Sequence, residues 1–566
     1  MSPLVRTESI SPLATDEARL GGSLRPGPVA PLPAAGPVTD LRPTLAAHLQ
    51  QRLGVLSQGF RHNIALLGMS GSGKSHLAQQ ALRQLDAGFL KIYCPLQSAS
   101  ASTVVRQLTV AVLRAIVEDR EGLPLEELLT RVSPTAPKTA EAARRLIDAG
   151  VGHVPAEAIV QALDLVPIAH GELRRPCVLV LDEFLVLGQL GTQLFHEVGK
   201  RVVTWPYTVF VLTSSSPLKG REILRERLQL LFGQFELIAL GHAEPTAAIA
   251  WMEQELSATP EADGLLRLVL EWTGPSVWAL KVLVKRMREL TVLMGQPARL
   301  EVILTRALWD VLGSRDGVLH QWYAAKLQRL DGVRYGMLAR DALLAVARGA
   351  KTTHAVCQAI GARRHVSQAL QVLIEQDVVV RRGACWLVPD QLLKLWLTSV
   401  HDPVQPQSVA DPVHPGEPFE RAARRLAGEW LQASRLSLTD QVQALFARFQ
   451  NETIALEHKT GRLPAFQSFR AVRSDDGRGT FLVADAGAQR WCCLIDDRGL
   501  SEPDIAAFRR FCQQQSPRPA RAVVIAYGGL ELNVKLVAKD AGMWVWEPDD
   551  LRLLSLLYGQ APPERA

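Results

Sequence analysis

The sequence predicts a multidomain α/β chain organised on a parallel sheet that binds phosphate, and three observations carry this. The stretch Gly68-Met69-Ser70-Gly71-Ser72-Gly73-Lys74-Ser75 fits G-x-x-x-x-G-K-[ST], between an apolar strand-like run, Asn63–Leu67, and a helical run, His76–Leu85. The run Cys177–Leu181 is wholly apolar and ends in Asp182-Glu183, the pattern of a buried parallel strand with acids at the end where such sheets take ligands. The 566 residues, 47% of them hydrophobic, suffice for roughly three to five domains.

Each part of the glycine loop has a chemical reason. Glycines let the backbone curl so that its N–H groups face phosphate oxygens, and the following helix adds the positive end of its dipole. Gly68, Ser70, Gly71, Ser72, Gly73, Lys74, Ser75 and His76 form the expected nucleotide-binding set. Lys74 is placed for the β- and γ-phosphates, and the Ser75 hydroxyl for Mg²⁺. Asp182 is the expected second Mg²⁺ partner, through water, and Glu183 the group that polarises the attacking water. Downstream, Gly220–Leu228 offers Arg221, Arg225 and Arg227. Arg225 or Arg227 can serve as an arginine finger toward a neighbouring subunit, or the segment is a solvated face of alternating Glu and Arg.

Composition narrows the setting. A net charge of +6 and a pI near 9.0 permit a nucleic-acid partner without requiring one. The seven cysteines form no C-x-x-C pair, so neither a zinc site nor a disulfide framework is expected and a reducing compartment fits. Met1–Leu13 has no apolar signal core, and no stretch approaches the ~20 apolar residues of a membrane span. The expected location is the cytoplasm.

In chain order, residues 1–40 are rich in Pro, Gly and Ser and read as a tail. Residues 41–242 form the phosphate-binding core. It opens on a helix over Asp40–Gln58 with Leu45, Leu49, Leu53 and Leu56 on one face, and its further strands are expected at Phe89–Tyr93, Thr208–Leu212 and Glu236–Leu240. Residues 243–305 are helical and read as a lid. Within 306–400, residues 335–397 read as a winged helix with helices at Met337–Arg348, Thr352–Ile360 and Arg364–Glu375 and a hairpin around Arg381-Arg382-Gly383. Its third helix exposes Arg363, Arg364 and Gln368 and its wing Arg381 and Arg382, a set suited to the groove and phosphates of duplex DNA; a protein-binding winged helix is the other reading. Residues 401–418 contain five prolines and read as a linker. In 419–566, a helix at Pro418–Ala433 precedes strands at Thr453–His458, Phe481–Ala484 and Trp491–Ile495, a helix at Pro503–Gln513 and a strand at Ala522–Ala526.

The glycine loop, Leu181-Asp182-Glu183, Thr213-Ser214 and Gly274-Pro275 together resemble AAA+/STAND ATPases, most of all the archaeal-type, origin-recognition-like branch. In that branch a winged helix ends in a pattern similar to Pro389-Asp390-Gln391-Leu392-Leu393-Lys394-Leu395-Trp396 and a nuclease-like domain often follows. The resemblance implies ATP and Mg²⁺ as cofactors, nucleotide-dependent homo-oligomers, a γ-phosphate sensor at Thr213 or Ser214 and a second sensor at Lys281. For Thr213-Ser214 a serine-rich turn is the alternative. The chain departs from the family in the 108 positions between Lys74 and Asp182, which imply extra helices.

The last domain resembles PD-(D/E)xK nucleases, whose site needs Asp on one strand and Asp/Glu-x-Lys on the next. Asp496 fits the second carboxylate, and Asp485 is either the first or a turn residue of Asp485-Ala486-Gly487, but Arg498 stands where Lys is expected, and Arg is a poor proton-transfer group. The segment Glu457-His458-Lys459 supplies E-x-K without a preceding Asp. The expected activity is an ATPase acting as a DNA-associated switch, with a STAND-type protein scaffold as the alternative and an ATP-regulated nuclease as the weaker one.

Overall fold

The computed structural model describes residues 40–558 apart from 98–99, 120–121, 150–154, 227–234, 259–261, 295–298, 402–415, 457–458, 474–479, 488, 497–498 and 528–529. The expected tail before residue 40, most of the expected linker, Arg227, Glu457, His458 and Arg498 lie outside the described residues.

The chain from Leu41 onward is one compact unit. Helix α1 (Pro43–Gly54) starts on a proline, whose fixed φ suits a first helical turn, and buries Ala46, Leu49 and Leu53. Strand β1 (Asn63–Leu67) is buried at every position. Helix α2 (Lys74–Gln84) begins two residues earlier than expected, because Gly73, at φ 89°, turns the chain directly into it. After β2 (Leu90–Pro95), helices α3 (Ala101–Val117), α4 (Leu125–Val132), α5 (Pro137–Ala149), α6 (Pro155–Leu163) and α7 (Leu165–Leu173) supply the expected extra helical layer. Strand β3 (Cys177–Asp182) follows, then α8 (Leu187–Leu190), α9 (Gln193–Thr204), β4 (Thr208–Ser214), α10 (Pro217–Glu226) and β5 (Phe235–Ala239).

These strands form one parallel sheet in the order β2-β3-β4-β1-β5. Strands β3 and β4 are buried throughout, which is why their sequences run apolar without alternation. One face packs on α3 to α9 and the other on α1 and α2. The chain reverses direction across the sheet at β1, so the loop after β1 opens into the crevice where open α/β sheets bind ligands.

A second core joins α11 (Pro245–Leu256), α12 (Asp263–Thr273), α13 (Val277–Met294) and α14 (Leu300–Leu308) to α15 (Val318–Gln328) and to the winged-helix segment. That segment comprises α16 (Gly336–Ala347), α17 (Thr353–Ile360), α18 (Val366–Glu375) and the antiparallel pair β6 (Val380–Arg382) and β7 (Cys385–Leu387). A bridge from Thr352 to Cys385 adds a third short strand. Helix α18 starts at Val366, so Arg363 and Arg364 sit in the turn before it.

The Pro389–Trp396 pattern has a physical basis. Asp390 caps α19 (Gln391–Trp396) by accepting the Leu393 N–H at 3.0 Å, and both its oxygens accept the Tyr323 hydroxyl at 2.9 Å. Lys326 is the nearby buried cation that acts on it. Trp396 is buried against Tyr323 and donates from its ring to His320 at 3.1 Å.

Helix α20 (Glu417–Ser434) was expected to open the C-terminal domain. Its apolar face, Phe419, Ala423, Ala427 and Trp430, is buried instead in the core of α12 and α14. The C-terminal domain proper contains α21 (Leu438–Phe446), β8 (Thr453–Leu456), β9 (Lys459–Arg462), β10 (Ser468–Arg473), β11 (Thr480–Ala486), β12 (Gln489–Asp496), α22 (Glu502–Gln514), β13 (Arg521–Ala526), α23 (Leu532–Asp540), β14 (Trp544–Trp546) and α24 (Pro548–Tyr558). Its sheet runs β10-β11-β12-β13-β14, antiparallel through β12 and parallel from there to β14. The expected first strand at Thr453–His458 is a separate hairpin, β8–β9; the edge strand of the sheet is β10, exposed at most positions and marked by Arg470 and Arg473.

Replacing Asp390 with Ala uncaps α19, strips the buried Tyr323 hydroxyl of its acceptor and removes the counter-charge of Lys326. The expected loss is about 3 kcal/mol, read as a lower urea midpoint of tryptophan fluorescence, with Tyr323→Phe costing less.

Candidate nucleotide-binding site

The glycine loop is closed on itself. Gly71 and Gly73 take φ of 80° and 89°, which favours residues without a Cβ. The Lys74 side chain, 4% exposed, donates to Gly68 O at 3.0 Å, Met69 O at 3.1 Å and the Ser215 hydroxyl at 3.0 Å. An ammonium has three donors, and all three are engaged. Burial lowers the Lys74 pKa, against the opposing pull of Glu183 and Asp182. A phosphate in this loop has to take over contacts that Lys74 now makes with its own backbone.

The two acids stand at the end of β3. Asp182 accepts the Thr213 hydroxyl on one oxygen and the Tyr93 hydroxyl on the other. The Tyr93 hydroxyl is hydrogen-bonded to Ser75 as well, so it bridges the hydroxyl and the carboxylate expected to hold a metal. Burial and the adjacent Asp182 hold this phenol above its usual pKa range. A hydroxyl, a carboxylate and a bridging phenol are hard oxygen donors of the kind Mg²⁺ takes. Glu183 sits at φ 60°, its N–H donated to the Thr213 hydroxyl at 3.0 Å. Its carboxylate accepts both the Ser215 N–H, at 2.9 Å, and the Ser215 hydroxyl, and lies 3.9 Å from the Lys74 ammonium.

The lid touches the loop directly. The Trp278 N–H donates to Gly71 O at 3.0 Å, and a Cβ on Gly71 would come within 2.8 Å of the Ser276 hydroxyl. Arg42, 7% exposed, donates to Ser72 O and Gly241 O at 2.6 Å each and to His242 O and Pro275 O at 3.4 Å. His242 is kept neutral by burial and by Arg552 and Arg42, its pKa pushed down to about 3. Its ring lies 3.7 Å from Glu271, which pairs at 2.9 Å with Arg552 of α24.

Residues 41–203 match the protein-family model described as an AAA ATPase domain. That stretch, which holds the glycine loop and both acids, is similar to AAA ATPase domains. Among curated proteins none matches the chain. Among solved structures, Cdc6p from Pyrobaculum aerophilum is similar at 14% identity, covering 71% of this chain and 97% of that one, with a TM-score of 0.31. The Orc1 protein of Aeropyrum pernix in complex with DNA is similar at 18% identity, 64% and 92% coverage and a TM-score of 0.34. AMPPCP-bound DnaA from Aquifex aeolicus is similar at 16% identity, 60% and 93% coverage and a TM-score of 0.27.

Around the loop and the helices that follow β5, the other expected residues fall as follows. Thr213 is buried and bonded to both acids, whereas the Ser214 hydroxyl turns back to accept the Ser216 N–H at 3.0 Å. Ser215, which carries no motif signal of its own, holds Glu183 and Lys74. Tyr93 and Arg42 are equally silent in the sequence: a tyrosine in a strand and an arginine ahead of a helix carry no local sign of these roles. Ser70 and His76 are exposed at the rim of the loop, and Ser72 is fully buried, its hydroxyl beside Gly68. Lys281 is exposed on α13, three residues past Trp278. Arg225 is exposed and pairs with Glu226 at 2.9 Å, the solvated-face arrangement within a single chain.

Arg363, Arg364 and Gln368 are exposed, as expected. The wing is not free. Ala384 N–H donates to Thr453 O at 2.9 Å, and a Cβ on Gly383 would lie 2.8 Å from that oxygen. Cys385 and Leu387 are buried in the C-terminal core. Arg381 folds back to Gly383 O at 3.0 Å and over the Trp386 ring, and Arg382 neighbours Arg221 and Asp550. A wing tip projecting toward phosphates is therefore corrected to one packed on β8.

The expected nuclease pair is also separated. Asp485 is paired with Arg490 at 2.6 Å across the β11–β12 turn, while Asp496 ends β12, where it accepts the Gly499 N–H at 2.8 Å. The stretch of strand from Arg490 to Asp496 spans ~20 Å, too far for one metal.

The site predicts distinct losses. Lys74→Ala should abolish nucleotide affinity in a binding titration. Glu183→Gln should retain binding and slow turnover by about 10²-fold or more; unchanged turnover in both variants removes the assignment.

Proposed function

We propose that the protein binds and hydrolyses ATP with Mg²⁺, held by Ser75 and Asp182, and uses the cycle as a nucleotide-dependent switch associated with duplex DNA. One observation supports this most: the lid and its clamp residue Arg42 touch the glycine loop, so filling the loop with phosphates alters contacts reaching the winged helix and α24. Glu183 is the water-polarising residue and Thr213 the residue that couples it to Asp182. Lys281 as a second sensor, and Arg225 or Arg227 as a finger in a homo-oligomer, belong to the same reading. Seven free cysteines suit a cytoplasmic setting, and no helix among the described residues is long and apolar enough to cross a membrane. A role in defence, mobile-element biology or DNA maintenance fits such a switch.

DNA contact in this reading runs through Arg363, Arg364 and Gln368. The stack of Arg334, Tyr335 and His365 beside them supplies a flat cationic edge. The docked wing favours a second reading, a STAND-type scaffold in which the winged helix holds domains together and the partner is a protein. Nuclease activity has no support in the separated acids.

Replacing Arg363 and Arg364 with Ala should weaken duplex binding across sequences. The plot of log affinity against log salt should flatten by about 0.9 for each phosphate that the protein ceases to neutralise. Replacing Arg381 should change little, because its guanidinium is folded onto its own wing. Affinity and slope unmoved by the double variant would favour the scaffold.

A further inference from the structure

A cavity of about 630 Å³ lies where the lid, α19 and the C-terminal domain meet. Its walls come from α12, α19, α20, α21 and α24, and its volume falls in the range of small-molecule sites, roughly 300–1,000 Å³. Trp272 of α12 and Trp430 of α20 give it aromatic surfaces. Leu426 and Leu436, also in the wall, are 39% and 42% exposed, so apolar area there is left open to solvent.

The charges in the wall are two cations and one acid. Lys394 is half-buried on α19, and among the described residues its ammonium makes no hydrogen bond or ion pair. Burial and the nearby cation Lys351 push its pKa down. Arg448, just past α21, donates to Tyr558 O at 3.0 Å. The acid, Glu429, has a side chain 65% exposed and stands 3.9 Å from Arg425, so it leaves Lys394 without a counter-charge. Ser555 of α24 borders the cavity at 1% exposure, and its hydroxyl has no hydrogen-bond partner. A half-buried ammonium without a counter-ion and a buried hydroxyl without a partner each cost free energy, which an anionic ligand would offset.

Two of the helices in the wall are already joined beside the cavity. Arg552, one turn before Ser555 on α24, gives Nε and Nη2 to Glu271 at 2.9 Å, and Glu271 directly precedes Trp272. Glu271 lies 3.7 Å from His242, whose carbonyl accepts from Arg42. A ligand in the cavity would span the joint between the lid and the last helix.

We propose that this cavity is a binding site for a small organic anion with a flat apolar body, its anionic group taken by Lys394 and Arg448 and its body by Trp272 and Trp430. The site goes beyond the ATPase reading and does not depend on it.

The probe is anilinonaphthalene sulfonate, a flat apolar body with one anionic group, titrated into the full-length protein in parallel with uncharged phenylnaphthylamine. The sulfonate should bind at about one per chain, with energy transfer from tryptophan. It should bind about tenfold more tightly than the uncharged dye, and Lys394→Met should erase that difference, the scale of one hydrogen bond to a charged group. The same variant should melt no lower than wild type, because an unpartnered ammonium leaves with it. Ala444→Trp fills the cavity and should abolish binding of both dyes. Naphthoate and naphthyl phosphate should displace the sulfonate, and the stronger competitor names the anionic group. Lys74→Ala should bind the sulfonate as wild type does, which separates this site from the glycine loop. Sulfonate binding that is absent, or equal in wild type, Lys394→Met and a folded Ala444→Trp, overturns the proposal. So does binding that is lost in Lys74→Ala or that resists both competitors.

Discussion

A buried guanidinium holds the nucleotide site together. Arg42 reaches the glycine loop at Ser72, the exit of β5 at Gly241 and His242, and the lid turn at Pro275. Backbone carbonyls are its acceptors in all four contacts, and hydrogen bonds from a charged donor to such groups contribute roughly 1.5–3 kcal/mol each. The loop, the sheet edge and the lid are therefore not independent bodies. Moving the lid away from Gly71 means breaking contacts to a cation that is 7% exposed. The next shell extends outward from His242 to Glu271 and Arg552, so the last helix of the chain stands two side chains from the residue whose carbonyl Arg42 binds.

The winged-helix segment is held by its wing. The wing packs on β8 and contributes Cys385 and Leu387 to the C-terminal core. Lys351, just before the Thr352 cap of α17, adds a 3.5 Å contact to Glu452. Between the lid and α19 runs a line of packed rings, Trp278, Trp322, Tyr323 and Trp396. Densely packed interiors rearrange between discrete states. A change at the glycine loop is therefore passed on as a change of domain contacts.

The elements that were legible in the sequence are those whose signal is local. Mostly apolar runs gave β1, β3 and β4, and the glycine loop fixed its own conformation through Gly71 and Gly73. The extra helices followed from chain length alone. The acids Asp182 and Glu183 were legible because a parallel strand carries them to a known edge. Arg42, Tyr93 and Ser215 were not, since each acts on residues remote in sequence and looks like ordinary surface or turn chemistry. Strand β10 escaped because an edge strand is half charged, and α20 was assigned to the wrong neighbour because an amphipathic face does not name what it covers. Asp485 and Asp496 looked like a pair in sequence; antiparallel pairing sends them to opposite ends of a hairpin.

The central claim is that this site exchanges its internal contacts for those of a nucleoside triphosphate. Calorimetric titration of the full-length protein with ATP in the presence of Mg²⁺ addresses it most directly. The account predicts saturable binding of about one ATP per chain, weakened when Mg²⁺ is chelated, since Ser75 and Asp182 supply metal ligands. Absence of binding with the fold intact would contradict it.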